Sequence, residues 1–186
     1  PALILQQQAA IPTSNAGCRM GFTQDLQDLR QHQPLIWFVQ VITMGRKGDR
    51  MPRLVTGLGL PRVVADQLAL LQGGLHGARW IDRDNFHITL RFIGDVDHTI
   101  AREVVSALDR VRHGPITLTL DGLGSFGGNK PHSVFVRIAP TQELADLQGE
   151  QERIMQRLGL KPERRTFIPH ITLARCRGLQ PGAVAH

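Results

Sequence analysis

The tetrapeptide His-Ile-Thr-Leu occurs twice, at His87-Ile88-Thr89-Leu90 and at His170-Ile171-Thr172-Leu173. In a β-strand, residues two apart point to the same face, about 6.6 Å from each other. Each copy therefore puts one imidazole and one hydroxyl on one face and sends an Ile and a Leu to the other, where they can enter a core. Two such strands side by side would line a cleft with two histidines and two threonines. Imidazoles supply acid and base near neutral pH, and hydroxyls supply hydrogen bonds to developing negative charge.

A His at the head of one strand is most often a hydrogen-bonded structural residue. Two identical copies, each opening a predicted strand, favour chemistry instead. The other six histidines (His32, His76, His98, His113, His132 and His186) lack that context and are expected at the surface. Zinc is not expected, because neither motif histidine sits in HExxH or HxH spacing. There is no GxSxG element for a serine nucleophile. The glycine-rich stretch Gly122 to Lys130 is not a Walker loop, because Lys130 is not followed by Ser or Thr; it reads as a flexible connection or a substrate-facing lip.

The chain has 186 residues, enough for one compact domain or two small lobes sharing an interface. Hydrophobic residues make up 41%, which can fill a core and argues against disorder. No apolar run approaches the length of a membrane span. Two cysteines, Cys18 and Cys176, have no metal-ligand spacing, and a reducing cytosol is the expected compartment. The formal charge of +6 favours polyanions such as RNA.

Residues 1–50 are Gln-rich and lack sustained periodicity. They read as a poorly ordered extension or translated upstream sequence, with Met51 as the expected natural start and no signal peptide indicated. From Arg53 the pattern becomes regular. Strands are expected at 54–60, 78–81, 86–93, 116–120, 133–138 and 171–175. A helix should follow Pro61 with Val64, Leu68 and Leu71 on one face. Asp97 should cap a helix running to about His113, and Thr141 one ending at Gly159. Such mixing of elements with short connections implies α+β with mainly antiparallel sheets flanked by helices, and the repeated motif suggests two pseudo-symmetric lobes about a central cleft.

His87 to Gly94 (His-Ile-Thr-Leu-Arg-Phe-Ile-Gly) and Phe167 to Arg175 (Phe-Ile-Pro-His-Ile-Thr-Leu-Ala-Arg) resemble the paired signatures of the two-histidine phosphoesterase superfamily. Within it, the chain is most similar to the bacterial and archaeal RNA 2′,3′-cyclic phosphodiesterases, historically called 2′-5′ RNA ligases. The likeness runs from about Arg53 to Arg177 and includes Arg79-Trp80, Leu123-Gly-Ser-Phe126 and Arg165-Thr-Phe167. It implies a bilobal α+β fold over residues 51–186. Family members continue past the second motif, so C-terminal elements completing the first lobe's sheet are expected to be missing here.

The resemblance further implies metal-independent hydrolysis of RNA 2′,3′-cyclic phosphate ends to 2′-phosphomonoesters, with reversible ATP-independent 2′-5′ RNA ligation, and no cofactor. His170 would activate water, His87 would protonate the departing 3′ oxygen, and Thr89 and Thr172 would bind the phosphate oxygens. Strict alternation puts Arg91 on the His87 and Thr89 face as a phosphate or RNA-backbone contact. It puts Arg175 off the His170 and Thr172 face, to act from a strand end or to hold structure. Phe92 and Phe126 are candidates to stack on a base or to enter the core. The expected partner is RNA with cyclic phosphate ends, tRNA fragments included, bound by a monomer. The alternatives are hydrolysis of small cyclic nucleotides or 2′-5′ oligonucleotides, and a non-catalytic RNA- or nucleotide-binding module.

Overall fold

The computed structural model describes residues 53–114 and 116–177. The expectations for residues 1–50, for a start at Met51 and for the chain beyond Arg177 lie outside the described residues. Within them the order is β1 (Arg53–Gly59), α1 (Arg62–Ala69), β2 (Ala78–Trp80), a 3₁₀ turn (Arg83–Asn85), β3 (His87–Asp95), α2 (His98–Leu108), β4 (Leu120–Phe126), β5 (Ser133–Ile138), α3 (Gln142–Arg157) and β6 (His170–Cys176).

The strands form one open antiparallel sheet in the order β1-β3-β6-β5-β4, with β2 also paired to β6. The fold is α+β. The two expected lobes are the two halves of this sheet, joined between β3 and β6 by one bridge, Ile88 to Ile171. Both isoleucines are fully buried, in a core shared by Leu58 of β1, Leu68 of α1, Val104 of α2, and Leu147 and Met155 of α3. The helices thus cover the face that carries the motif Ile and Leu residues, and the opposite face is left for the motif His and Thr.

Local chemistry fixes the helix ends. The Asp97 carboxylate accepts from the amides of Thr99 and Ile100 at 2.8 and 2.9 Å, and Thr141 Oγ1 accepts from Leu144 N at 3.3 Å. Helix α2 stops at Leu108 rather than near His113, and α1 stops at Ala69, which leaves Leu71 outside the helix and exposed. A larger difference concerns 116–126. Ile116 makes only an isolated bridge, while the glycine-rich segment read as a loop is mostly strand β4. Gly122, at φ +72°, lies where the β4–β5 register slips between Leu120 and Leu123, a backbone conformation glycine adopts without steric cost.

Both motif strands carry a bulge at the same place. Thr56 pairs with Arg91 and Gly57 with Thr89, so Leu90 is the extra residue on β3. Val134 pairs with Ala174 and Phe135 with Thr172, so Leu173 is the extra residue on β6. A bulge reverses the alternation beyond it. The burial sequence is accordingly identical over 87–92 and 170–175: half-buried His, buried Ile, half-buried Thr, two buried residues, then an exposed one.

Beside the first bulge, Gly57 lets β1 lie close to the motif strand. A Cβ there would stand 2.7 Å from the Ile88 carbonyl oxygen and 3.4 Å from His87 Cδ2. Gly149, inside α3, meets only Arg153 Nη1 at 3.5 Å. Gly57→Ala should therefore destabilise the protein by about 1–3 kcal/mol through overpacking. Gly149→Ala should stabilise it by about 0.5–1 kcal/mol through helix propensity. Urea unfolding midpoints check both signs.

Candidate active site

His87 and His170 are held in the same way. Each opens its strand, and each Nδ1 lies close to the backbone carbonyl two residues earlier: Asn85 O at 2.8 Å and Ile168 O at 2.7 Å. A carbonyl only accepts, so Nδ1 carries the proton and Nε2 is the nitrogen left for chemistry. For His87 the carbonyl comes from the 3₁₀ turn, which Asp82 caps by accepting from Asp84 N. For His170 it comes from Ile168, just before Pro169. Thr89 and Thr172 follow on the same face, half-buried.

Burial lowers both imidazole pKa values from 6.5; the carbonyl hydrogen bonds oppose this, and the Arg175 charge reinforces it. The His170 charge also acts on His87, so the two rings are electrostatic neighbours. The lowered values favour the neutral form of both rings. An anion between them would raise both values by opposing the Arg175 charge.

The two bulges exchange the expected places of the arginines. Arg91 does not extend the His87 and Thr89 face. It is 5% exposed and turned to the helix side, where Nε meets Glu152 Oε2 at 2.5 Å and Nη1 faces Glu163 Oε2 at 3.6 Å. Its guanidinium also donates to the carbonyls of Phe92 and Lys161. Glu152 in turn accepts from Glu163 N at 3.1 Å, so this cluster anchors the segment between α3 and β6. Arg175, expected off the His170 face, is on it because the Leu173 bulge restores the phase.

Phe92 takes the place on the cleft face expected of Arg91. It is 38% exposed, and the Arg165 guanidinium lies 5.7 Å from its ring centre, a cation–π contact. Phe126 stands edge-on to His170 at 4.9 Å between ring centres. Phe135, which the sequence did not single out, lies 5.0 Å from His170 and 4.2 Å from Phe126. His132, read as a surface histidine, is exposed and stacks with Phe126 at 6.4 Å. Arg79 pairs directly across from Arg175, so two cations share one end of the site. The alternation of β5 opposite the second motif was the available signal for Phe135. Among the described residues, no group of three or more His, Cys, Asp or Glu side chains is placed to hold a metal ion. No helix there is long and apolar enough to cross a membrane.

Two neutral imidazoles with free Nε2 atoms, two hydroxyls and an arginine on one face can bind a phosphate and pass protons on either side of it. The chain matches the LigT like phosphoesterase family over residues 58–136 and 137–186. It belongs to that family. It is similar to the RNA 2′,3′-cyclic phosphodiesterase of Aeropyrum pernix, 40% identical over 100 residues, and to that of Methanocaldococcus jannaschii, 27% identical over 131 residues. These matches cover 53% and 67% of this chain, and 57% and 72% of the relatives. The matched part thus spans little more than half of the Aeropyrum protein. The crystal structure of E. coli LigT complexed with 3′-AMP superposes with a TM-score of 0.59 at 26% identity, covering 71% of this chain and 80% of that one.

Arg91 is where buried charge decides stability in this LigT-like chain. Arg91→Ala leaves the Glu152 carboxylate without its counter-charge, while Glu163 keeps Arg165, and should cost about 3–5 kcal/mol. Phe92→Ala, at an exposed position, should cost far less. Urea unfolding of the two variants checks the order.

Proposed function

We propose that this chain hydrolyses RNA 2′,3′-cyclic phosphate ends to 2′-phosphomonoesters without a metal, and joins such an end to a 5′ hydroxyl in a reversible, ATP-independent 2′-5′ ligation when that hydroxyl takes the place of water. The observation that carries this is the matched imidazole pair, each ring fixed through Nδ1 so that a free Nε2 acts on a phosphate between them. The named relatives support the substrate class. The reading includes a monomer acting in the cytosol on RNA ends such as those of tRNA fragments.

His170 Nε2 takes a proton from water, and the resulting hydroxide attacks phosphorus. His87, protonated at Nε2, gives its proton to the departing 3′ oxygen, and the bond from phosphorus to that oxygen breaks. The products are a 3′ hydroxyl and a 2′-phosphomonoester. The Thr89 and Thr172 hydroxyls and the Arg175 guanidinium stabilise the charge that grows on the non-bridging oxygens. Phe126, packed on the His170 ring, and Phe92 would meet the base or ribose. The burial that favours a neutral base disfavours a protonated acid, and the substrate's own negative charge offsets this when it binds.

An oligonucleotide ending in a 2′,3′-cyclic phosphate, incubated with EDTA, tests the reaction and its metal independence together. Turnover should persist, and His87→Ala or His170→Ala should each lower it about 10²–10⁴-fold. Thr89→Ala and Thr172→Ala should lower it less. Turnover that stops with chelation and returns with a divalent metal would defeat the metal-independent mechanism. Binding of the RNA without turnover, unchanged in His170→Ala, would instead favour a binding module.

The pH profile follows from the lowered pKa values. The base stays neutral to below pH 6.5, and the acid loses its proton at a correspondingly low pH. The kcat/KM profile reports the free protein, so its maximum should fall on the acid side of about pH 6.5. The kcat profile reports the complex, where the phosphate raises both values, so its alkaline limb should lie at higher pH. A kcat/KM maximum well above pH 7 would contradict this assignment.

A further inference from the structure

We infer that Arg137 forms a second phosphate subsite beside the imidazole pair, which makes an oligonucleotide a better substrate than a mononucleotide; this rests on the proposed reaction. Arg137 of β5 pairs with His170 of β6, so their side chains leave the same face of the sheet. Phe135, two residues earlier on β5, confirms the face by its contact with the His170 ring.

The Arg137 side chain runs away from His170, across β4. Its Nε donates to the Asp121 carbonyl at 3.0 Å. A Cβ built at Gly122 would lie 3.4 Å from Nη2, and one built at Gly124 would lie 3.4 Å from Nη1. The guanidinium therefore lies over two positions that have no side chain. At Gly124 the same built Cβ would stand 2.8 Å from two carbons of the Phe135 ring, so glycine there keeps Phe135 and Arg137 down on the strand. Among the described residues no acidic side chain pairs with Arg137, and the residue is exposed. The result is a preformed cation on an exposed residue, whose two terminal nitrogens have no hydrogen-bond partner among the described residues.

Its position sets its use. Strands are about 4.8 Å apart, so a guanidinium over β4 lies about 10 Å from the line of β6. That is too far for the reacting phosphate and suits another phosphate of the same RNA strand. Arg175 and Arg79 lie towards the other end of β6 from His170 and Arg137. A polyanion crossing the sheet would thus meet cations on both sides of the reacting centre, whereas a mononucleoside cyclic phosphate has no second phosphate for Arg137. A planar guanidinium offers paired donors to phosphate oxygens.

The test uses the full chain and its Arg137→Ala and Arg137→Lys variants. The substrates are a trinucleotide ending in a 2′,3′-cyclic phosphate and adenosine 2′,3′-cyclic phosphate. The unaltered chain should prefer the trinucleotide in kcat/KM, with the preference expressed in KM. Arg137→Ala should reduce that preference about tenfold, the size of one charge-assisted hydrogen-bonding contact. Arg137→Lys should retain part of it. The slope of log affinity against log salt should fall by about 0.7 for the trinucleotide in Arg137→Ala. An unchanged preference, or an equal loss on both substrates, overturns the subsite. If the unaltered chain opens neither substrate, the proposed reaction fails. The subsite is then decided by binding of a trinucleotide with a 2′-phosphate end against adenosine 2′-monophosphate: a tenfold change of their ratio in Arg137→Ala supports it, and no change overturns it.

Discussion

Ile88 and Ile171 meet across a single bridge, and the position of both imidazoles follows from that contact. Each isoleucine is fully buried between the sheet and the helices. Because strand side chains alternate, burying them obliges the residues on either side to face away from the core. One apolar pair thus presents two histidines and two threonines together on the face opposite the helices. The protein uses its hydrophobic core to align polar groups that have no direct bond to one another. Moving either isoleucine out of the core would turn its whole motif over.

The bulges at Leu90 and Leu173 add a second constraint. They return the phase of each strand one residue late, so the sixth motif position, not the fifth, joins the His and Thr on the open face. On β3 this admits Phe92 and withdraws Arg91; on β6 it admits Arg175 and withdraws Ala174. The two halves are therefore alike in backbone and different in chemistry at that point, with an aromatic on one side and a cation on the other. The withdrawn arginine is anchored by Glu152 and Glu163 and holds the segment leading to Arg165 and Pro169, just ahead of His170.

These features mark what the sequence could reveal. The His and Thr face was legible because period-two alternation needs only the residues of the strand itself. The helix starts at Asp97 and Thr141 were legible because a cap is local chemistry. The exchange between Arg91 and Arg175 was not, because a bulge is a property of two paired strands and leaves no mark on either alone. Strand β4 was hidden for a related reason. Its glycines read as a loop, but Gly124 is there to admit Phe135 from the neighbouring strand. The aromatic support of His170 by Phe135 likewise arises from pairing between distant segments.

The central claim is that two equivalent imidazoles, each donating Nδ1–H to the carbonyl two residues back, present free Nε2 atoms to one phosphate. Long-range ¹H–¹⁵N correlation of the imidazole rings tests this most directly, on the empty protein and with adenosine 2′-monophosphate added. Both rings should be Nδ1–H tautomers that titrate below 6.5 when empty, and both should shift to higher pKa together when the phosphate binds. An Nε2–H tautomer at either histidine, or a ring whose titration the phosphate does not move, would contradict it.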